Sequence, residues 1–183
     1  MTAPFSLVER ALTRDEAVRL SAAIRETPNI LGYPPKELQT FRHCLIAETD
    51  TGAFAGVCIL KRLAGSWWDL AVVYVFPEYR GQGIGTALFL AGFRHLQDSG
   101  QHILCTSREA TILRLMAAQG MCDIPDWRLP LGVHLAKSRH YMLSGYRWRE
   151  AFRKAPMYHD QPPFRTMVAA PGKGRSDRRS GER

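Results

Sequence analysis

The chain has 183 residues, of which 45% are hydrophobic and 23% charged, so it has the composition of one globular domain rather than of a disordered chain. Its longest strongly apolar runs, 53–60 and 70–76, are too short for a membrane-spanning helix, and no secretory signal is predicted at its start. The formal net charge of +8 lies entirely after residue 133, because the residues before it carry 13 basic and 13 acidic side chains.

Short apolar runs separated by turn residues make up the first part of the chain. Glu16 follows Thr13 by three residues, which is the capping-box pattern at the start of a helix. A tight turn at 50–52 between two apolar runs predicts a β-hairpin. The apolar run that ends at Phe76 predicts a central strand covered on both faces. In chain order we expect a strand at 6–12, a helix from 13 to 28, a short helix through 38, and strands at 43–47, 53–62 and 67–76.

The second part of the chain begins with clear helical and strand patterns, and the prediction of secondary structure then becomes ambiguous. A segment at 135–154 has helical character interrupted by Gly145, although 146–149 alternates like a strand. Low apolar content from residue 171 predicts a disordered tail. In chain order we expect a helix at 86–97, a strand at 102–106, a helix at 110–119, a loop at 122–132, the segment at 135–154 and a strand at 164–169. This pattern is that of a single α/β (α+β) domain over 1–170 with a tail at 171–183.

The four cysteines do not have the spacing of a structural zinc site. No Cys-x-x-Cys pair occurs, and Cys44, Cys58 and Cys105 lie within apolar runs, whereas Cys122 lies in the loop-like segment. We therefore predict inert, reduced thiols, no metal site and a cytoplasmic location.

A glycine-rich turn joins the predicted central strand to the helix after it. The turn contains Gly81, Gly83 and Gly85, and such a strand–turn–helix junction directs backbone N–H groups into one cavity at the positive end of the helix dipole. Thr86 does not fit the dinucleotide fingerprint, and the mononucleotide P-loop would need Gly-Lys followed by Ser or Thr. The residues themselves predict an anion site and leave the anion unnamed.

The segment Arg80, Gly81, Gln82, Gly83, Ile84, Gly85 resembles motif A of the GNAT acetyltransferase superfamily. The resemblance extends to 46–57, which is similar to the second and third strands of these enzymes, and to 111–121, which is similar to a later helix. It covers 5–121 well and 122–170 poorly.

This resemblance implies a mixed central sheet flanked by helices and an acetyl-CoA-dependent N-acetyltransferase that passes an acetyl group directly to an amine, without a metal. It also implies that backbone amides of the turn bind the pyrophosphate and that the central strand pairs with the pantetheine arm. The coenzyme-binding residues would be Val73, Tyr74, Val75, Arg80, Gly81, Gln82, Gly83, Ile84, Gly85 and Thr86.

Asp69 is the candidate general base, because a lysine-like amine is protonated at neutral pH and must lose a proton before it attacks. It lies on the central strand, and alternation predicts that it shares a face with Ala71, Val73 and Val75. Burial beside the neighbouring tryptophans would raise its pKa. The alternative is an exposed aspartate at the end of the strand.

The general acid is where the chain departs from the family pattern. Met116 occupies the position of the usual tyrosine, and Glu109 that of a coenzyme-contacting asparagine. Methionine cannot donate the proton. Tyr141 is the candidate replacement, with Tyr146 and His140 as further candidates, and the alternative function is a catalytically silent module that binds CoA or nucleic acid.

Residues 134–165 carry seven basic and two acidic side chains interleaved with aromatic ones. Such a pattern favours an acceptor amine carried on an anionic macromolecule, with RNA or an acidic protein binding through 134–183. The alternative is a helix that buries its aromatic side chains and leaves its arginines in solvent. The sequence leaves open the acceptor's identity and whether the protein is a monomer or a homodimer.

Overall fold

A computed structural model describes residues 5–142, 144–159 and 161–172. Its strands are β1 (Phe5–Glu9), β2 (His43–Thr49), β3 (Phe54–Ala64), β4 (Trp67–Val75), β5 (His102–Ser107), β6 (Cys122–Asp123) and β7 (Arg165–Ala169). Its helices are α1 (Arg14–Arg25), α2 (Pro35–Leu38), α3 (Ile84–Asp98), α4 (Ala110–Ala118), α5 (Leu131–Met142) and α6 (Gly145–Tyr158). No helix in the described part is long and apolar enough to cross a bilayer.

All seven strands form one mixed sheet in the order β1-β2-β3-β4-β5-β7-β6. Neighbouring strands run antiparallel except β4 and β5, which are parallel. One apolar cluster packs α3 and α4 against the sheet, and a second packs α1 and α2 against it. The predicted α/β class with helices flanking a mixed sheet is therefore confirmed.

Local sequence signals predict the first part of the fold well. The capping box is present, since the Glu16 backbone N–H donates to Thr13 Oγ1 and the Thr13 N–H donates to Glu16 Oε2 at 2.8 Å. The β2–β3 hairpin forms as expected, and β4 is central. Several boundaries differ by one to three residues: β1 ends three residues early, at Glu9, and α3 begins two residues early, at Ile84, directly after the glycine turn.

The C-terminal part differs more from expectation. The segment predicted as one interrupted helix is two helices, α5 and α6, and the strand alternative at 146–149 is wrong. The predicted loop at 122–132 contains β6 and the start of α5. The last strand is confirmed as β7. The predicted tail lies outside the described residues from 173 onward.

Helix α6 packs three charged side chains inward, so the alternative of buried aromatics and solvated arginines is confirmed only for Arg149 and Arg153, which are exposed. Trp148 and Phe152 are 52% and 73% exposed, whereas Arg147, Glu150 and Lys154 are buried. Lys154 is buried because it lies against the C-terminal end of α1 and the segment that follows it. Its Nζ donates to the carbonyl oxygens of Ile24, Thr27 and Ile30 at 2.6–2.8 Å. These carbonyl groups stabilise the buried ammonium.

Cys44, Cys58 and Cys105 are buried and Cys122 is exposed, and all four thiols are free. Burial raises the pKa of the three buried thiols, so they are poor nucleophiles and ligands. The prediction that these three cysteines lie buried within apolar strands is confirmed.

Candidate active site

The parallel strands β4 and β5 pair over only three residues each. Trp67, Trp68 and Asp69 pair with residues 102–104, and no strand of the described residues pairs with β4 on that side beyond Asp69. The sheet therefore opens, and the opening is a cavity of about 920 Å³. Backbone groups along this free edge of β4 are available for hydrogen bonds with an extended ligand.

The glycine-rich turn forms one wall of this cavity. Gly81 and Gly83 have φ of +76° and +79°, in the left-handed region that favours glycine. A Cβ at Gly83 would meet no atom within 4 Å, so the loop faces open space. Gly83 is the N-cap of α3 and has no side chain to accept a hydrogen bond, which leaves the first N–H groups of the helix for an anion.

Nine of the ten predicted coenzyme-binding residues line this cavity. They are Val73, Tyr74, Val75, Arg80, Gly81, Gly83, Ile84, Gly85 and Thr86. The tenth, Gln82, does not line the cavity. The Arg80 side chain turns back on the strand, where its Nε donates to the carbonyl oxygen of Val75 at 3.2 Å.

Asp69 lies at the point where β4 and β5 separate, and it lines the same cavity. Burial raises the pKa of its carboxyl to about 6, although Lys61 and Lys137 act to lower it. Lys61 stands opposite Asp69 on β3, and burial lowers the pKa of this lysine to about 8. The alternative of an exposed aspartate at a turn is therefore wrong, and a half-buried carboxyl is available for proton transfer near neutral pH.

A β-bulge in β4 overturns the predicted alternation. Leu60 pairs with Leu70 and Ile59 with Val72, so Ala71 is an extra residue that inverts the face of everything after it. Leu70, Val73 and Val75 consequently pack in the α3 cluster. Asp69 is on the opposite face from Leu70, so it does not share a face with Val73 and Val75.

The opposite wall of the cavity comes from residues that the sequence analysis did not assign to the site. Lys137 Nζ lies 3.1 Å from Asp126 Oδ2 and 3.4 Å from the Oγ1 atoms of Thr106 and Thr166. Tyr158 and Phe164 complete this wall, and the Arg108 guanidinium is stacked between their rings. These residues come from β5 and the segment after it, from α5 and α6, and from the segments around β6 and β7, and no local motif links them.

The candidate residues for the general acid differ in whether they line the cavity. Met116 is fully buried in the core beneath α4 and does not line the cavity, whereas Glu109 does. The side chains of Tyr141 and His140 lie outside the described residues. Tyr146 is half-buried on α6 and is not part of the cavity lining. Tyr158 is the phenol that α6 contributes to the cavity, and sequence reasoning missed it.

A family model described as "Acetyltransferase (GNAT) family" matches residues 10–120. The chain belongs to the GNAT acetyltransferase family. The match includes β4, the glycine turn and α3, which form one wall of the cavity of this GNAT domain, so the resemblance seen in the sequence is confirmed. No curated protein matches it in sequence.

Solved structures show that this GNAT domain shares its fold with proteins of low sequence identity. N-acetylglutamate synthase from Neisseria gonorrhoeae, complexed with coenzyme A and N-acetyl-glutamate, has a TM-score of 0.63 at 17% identity, with 93% of this chain and 36% of that one covered. Rv2747 from Mycobacterium tuberculosis, solved with CoA, has a TM-score of 0.62 at 17% identity, with 89% and 98% covered. Phosphinothricin acetyltransferase from Sinorhizobium meliloti, solved with AcCoA, has a TM-score of 0.60 at 15% identity, with 96% of this chain and 92% of that one covered. The chain thus spans about a third of the length of the first of these proteins.

Proposed function

We propose that this protein is an acetyl-CoA-dependent N-acetyltransferase that transfers the acetyl group directly to an amine. The observation that carries the proposal is the shared cavity, in which a glycine-lined helix N-terminus, a free strand edge and a half-buried carboxyl lie together. It is tested by measuring CoA release from acetyl-CoA with a panel of amines. Turnover that requires an amine supports the proposal, and release that no amine accelerates contradicts it.

The residues of the cavity fit the coenzyme chemically. The N–H groups of the first turn of α3 and the glycine turn would hold the pyrophosphate, because no side chain of the described residues caps this positive end of the helix. The backbone of Val73 to Val75 would hydrogen-bond to the pantetheine amides as an added strand does. Acetyl-CoA supplies the thioester from which the acetyl group is transferred.

Asp69 acts in this proposal as the base that takes the proton from the acceptor amine. Its pKa of about 6 leaves it ionised at neutral pH and yet closer to the pKa of the amine than an ordinary aspartate is. The bulge at Ala71 places it on the sheet face away from Val73 and Val75. Proton return to the leaving thiolate stays without an assigned donor: Tyr141 is the candidate from the sequence and Tyr158 the candidate from the cavity wall.

The pH dependence of kcat/KM follows from the raised pKa of Asp69. Because the base acts when it is unprotonated, activity is expected to rise with pH through about 6, with the protonated and inactive form below that value. An ordinary aspartate would place this limb near pH 4, at about its reference pKa. Initial rates measured across this range with one amine check the prediction, and a profile with no inflection near pH 6 contradicts it.

The acceptor is assigned only as an amine. The formal charge of +8 supports a partner such as RNA or an acidic protein. Residues 134–165 attract such a partner less than their sequence implies, because five of their seven basic side chains already form hydrogen bonds or ion pairs within the protein. The catalytically silent alternative is not favoured, since the family is one of acetyltransferases and the cavity contains a carboxyl of raised pKa.

We also propose that the catalytic domain spans 1–170 and that the protein works in the cytoplasm. The first proposal is supported by β7, which ends at Ala169 and completes the sheet. Free thiols at all four cysteines support the second, because reduced cysteines are typical of that compartment.

A further inference from the structure

Two histidines and a glutamate from three separate elements meet on the surface at the β1–β2 edge of the sheet. Glu9 ends β1, His43 begins β2 and His95 lies near the C-terminal end of α3. One ligand-type atom from each of the three lies within 4.8 Å of those of the other two. All three side chains are partly exposed, so an ion from solvent can reach them.

The distances in this cluster differ from those of hydrogen bonds. His43 Nδ1 lies 3.5 Å from Glu9 Oε1, and His95 Nδ1 lies 3.8 Å from Glu9 Oε2, both longer than the 2.7–3.2 Å that is usual for N–H···O. Ligands around one tetrahedral zinc, at bonds of about 2.0–2.1 Å, are roughly 3.3–3.4 Å apart. The ligand-type atoms of His43 and His95 also lie within 4.8 Å of each other, so side-chain rotations would bring all three atoms onto one ion.

We propose that Glu9, His43 and His95 form a binding site for a divalent transition-metal ion of the Zn²⁺ type. Two imidazoles and one carboxylate suit Zn²⁺, Co²⁺, Ni²⁺ or Cu²⁺ better than Mg²⁺ or Ca²⁺, which prefer oxygen ligands alone. Three protein ligands leave a further position to water, as in other zinc sites of this ligand number.

The ion would connect α3 to the β1–β2 edge and take no part in acetyl transfer. His95 follows Ile84 by 11 residues, which is about 16 Å along α3 from the glycine turn. None of the three residues lines the cavity. Its expected effect is to stabilise the fold, because an ion that binds only the folded chain raises the melting temperature. This inference is independent of the proposed function.

Calorimetric titration of ZnCl₂ into the chelator-treated full chain, without a histidine tag, tests the proposal. We expect one ion per chain with micromolar affinity, a higher Tm with Zn²⁺, and a loss of affinity of at least about tenfold in His43→Ala and in His95→Ala. The matched control is His102→Ala, because His102 stacks on Trp67 and contacts Ser66 but has no place in the cluster. This variant should bind zinc as the unmodified protein does.

Two results would overturn the site. The first is the absence of saturable binding at millimolar Zn²⁺. The second is zinc affinity in the His43→Ala and His95→Ala variants that equals that of the unmodified protein, which would place the ion elsewhere, for example at the exposed Cys122. Glu9→Gln provides an independent check, because it keeps the shape of the side chain and removes its charge. Unchanged zinc affinity in this variant would remove Glu9 from the site.

Discussion

Replacing Asp69 by asparagine is expected to reduce kcat by about 100- to 1,000-fold, because a positioned general base contributes factors of this order. The amide keeps the size of the side chain and cannot take a proton from the amine. Acetyl-CoA affinity should change little, since the coenzyme is expected to contact the glycine turn and the free edge of β4 rather than this carboxyl. Steady-state rates and calorimetric titration of the same preparation separate the two effects.

The matched control for this variant is Asp50→Asn. Asp50 lies in the exposed turn of the β2–β3 hairpin and does not line the cavity, so the same chemical change there should leave kcat unaltered. The Asp69 variant should also lose the rise in rate near pH 6. Turnover within twofold of the unmodified protein, with the pH limb retained, would remove Asp69 from the mechanism.

Replacing Gly83 by valine is expected to weaken acetyl-CoA binding by at least about 100-fold. Two effects combine: valine is strained at a φ of +79°, and its side chain would occupy the open space in front of the unpaired N–H groups of α3. Calorimetric titration of acetyl-CoA into the folded variant measures the loss directly.

Gly52→Val separates backbone strain from the loss of the binding surface. Gly52 has nearly the same φ, +77°, and likewise has no atom within 4 Å of a built Cβ, but it lies in the hairpin turn away from the cavity. Both variants should therefore lose similar stability, and Gly52→Val alone should keep full affinity. Equal affinity in the two variants, whether retained or lost, would contradict the assignment of the glycine turn as the phosphate site.

The sequence predicts those parts of the fold that local chemistry determines. The capping box at Thr13, the hairpin turn at Gly52 and the glycine turn at Gly83 each depend on neighbouring residues alone, and all three are present. Most of the cavity wall formed by β4, the glycine turn and α3 could be predicted for the same reason, because it consists of one contiguous strand, turn and helix.

Features that depend on contacts distant in sequence could not be predicted. The bulge at Ala71 depends on pairing with β3. Because of this bulge, Asp69 lies on the opposite sheet face from Val73 and Val75. Burial of Lys154 depends on carbonyl groups more than 120 residues away in the chain. The cavity wall that contains Tyr158 and Phe164 likewise forms only when separate elements pack together, and so does the cluster of Glu9, His43 and His95.

Binding of acetyl-CoA in the opening between β4 and β5 can be followed residue by residue by backbone amide NMR during titration with acetyl-CoA. We expect saturable shifts that are largest for the amides of Gly81, Gly83 and Gly85, together with those of Val73 and Val75. Shifts confined to other parts of the chain, or none at millimolar acetyl-CoA, would contradict binding in this opening.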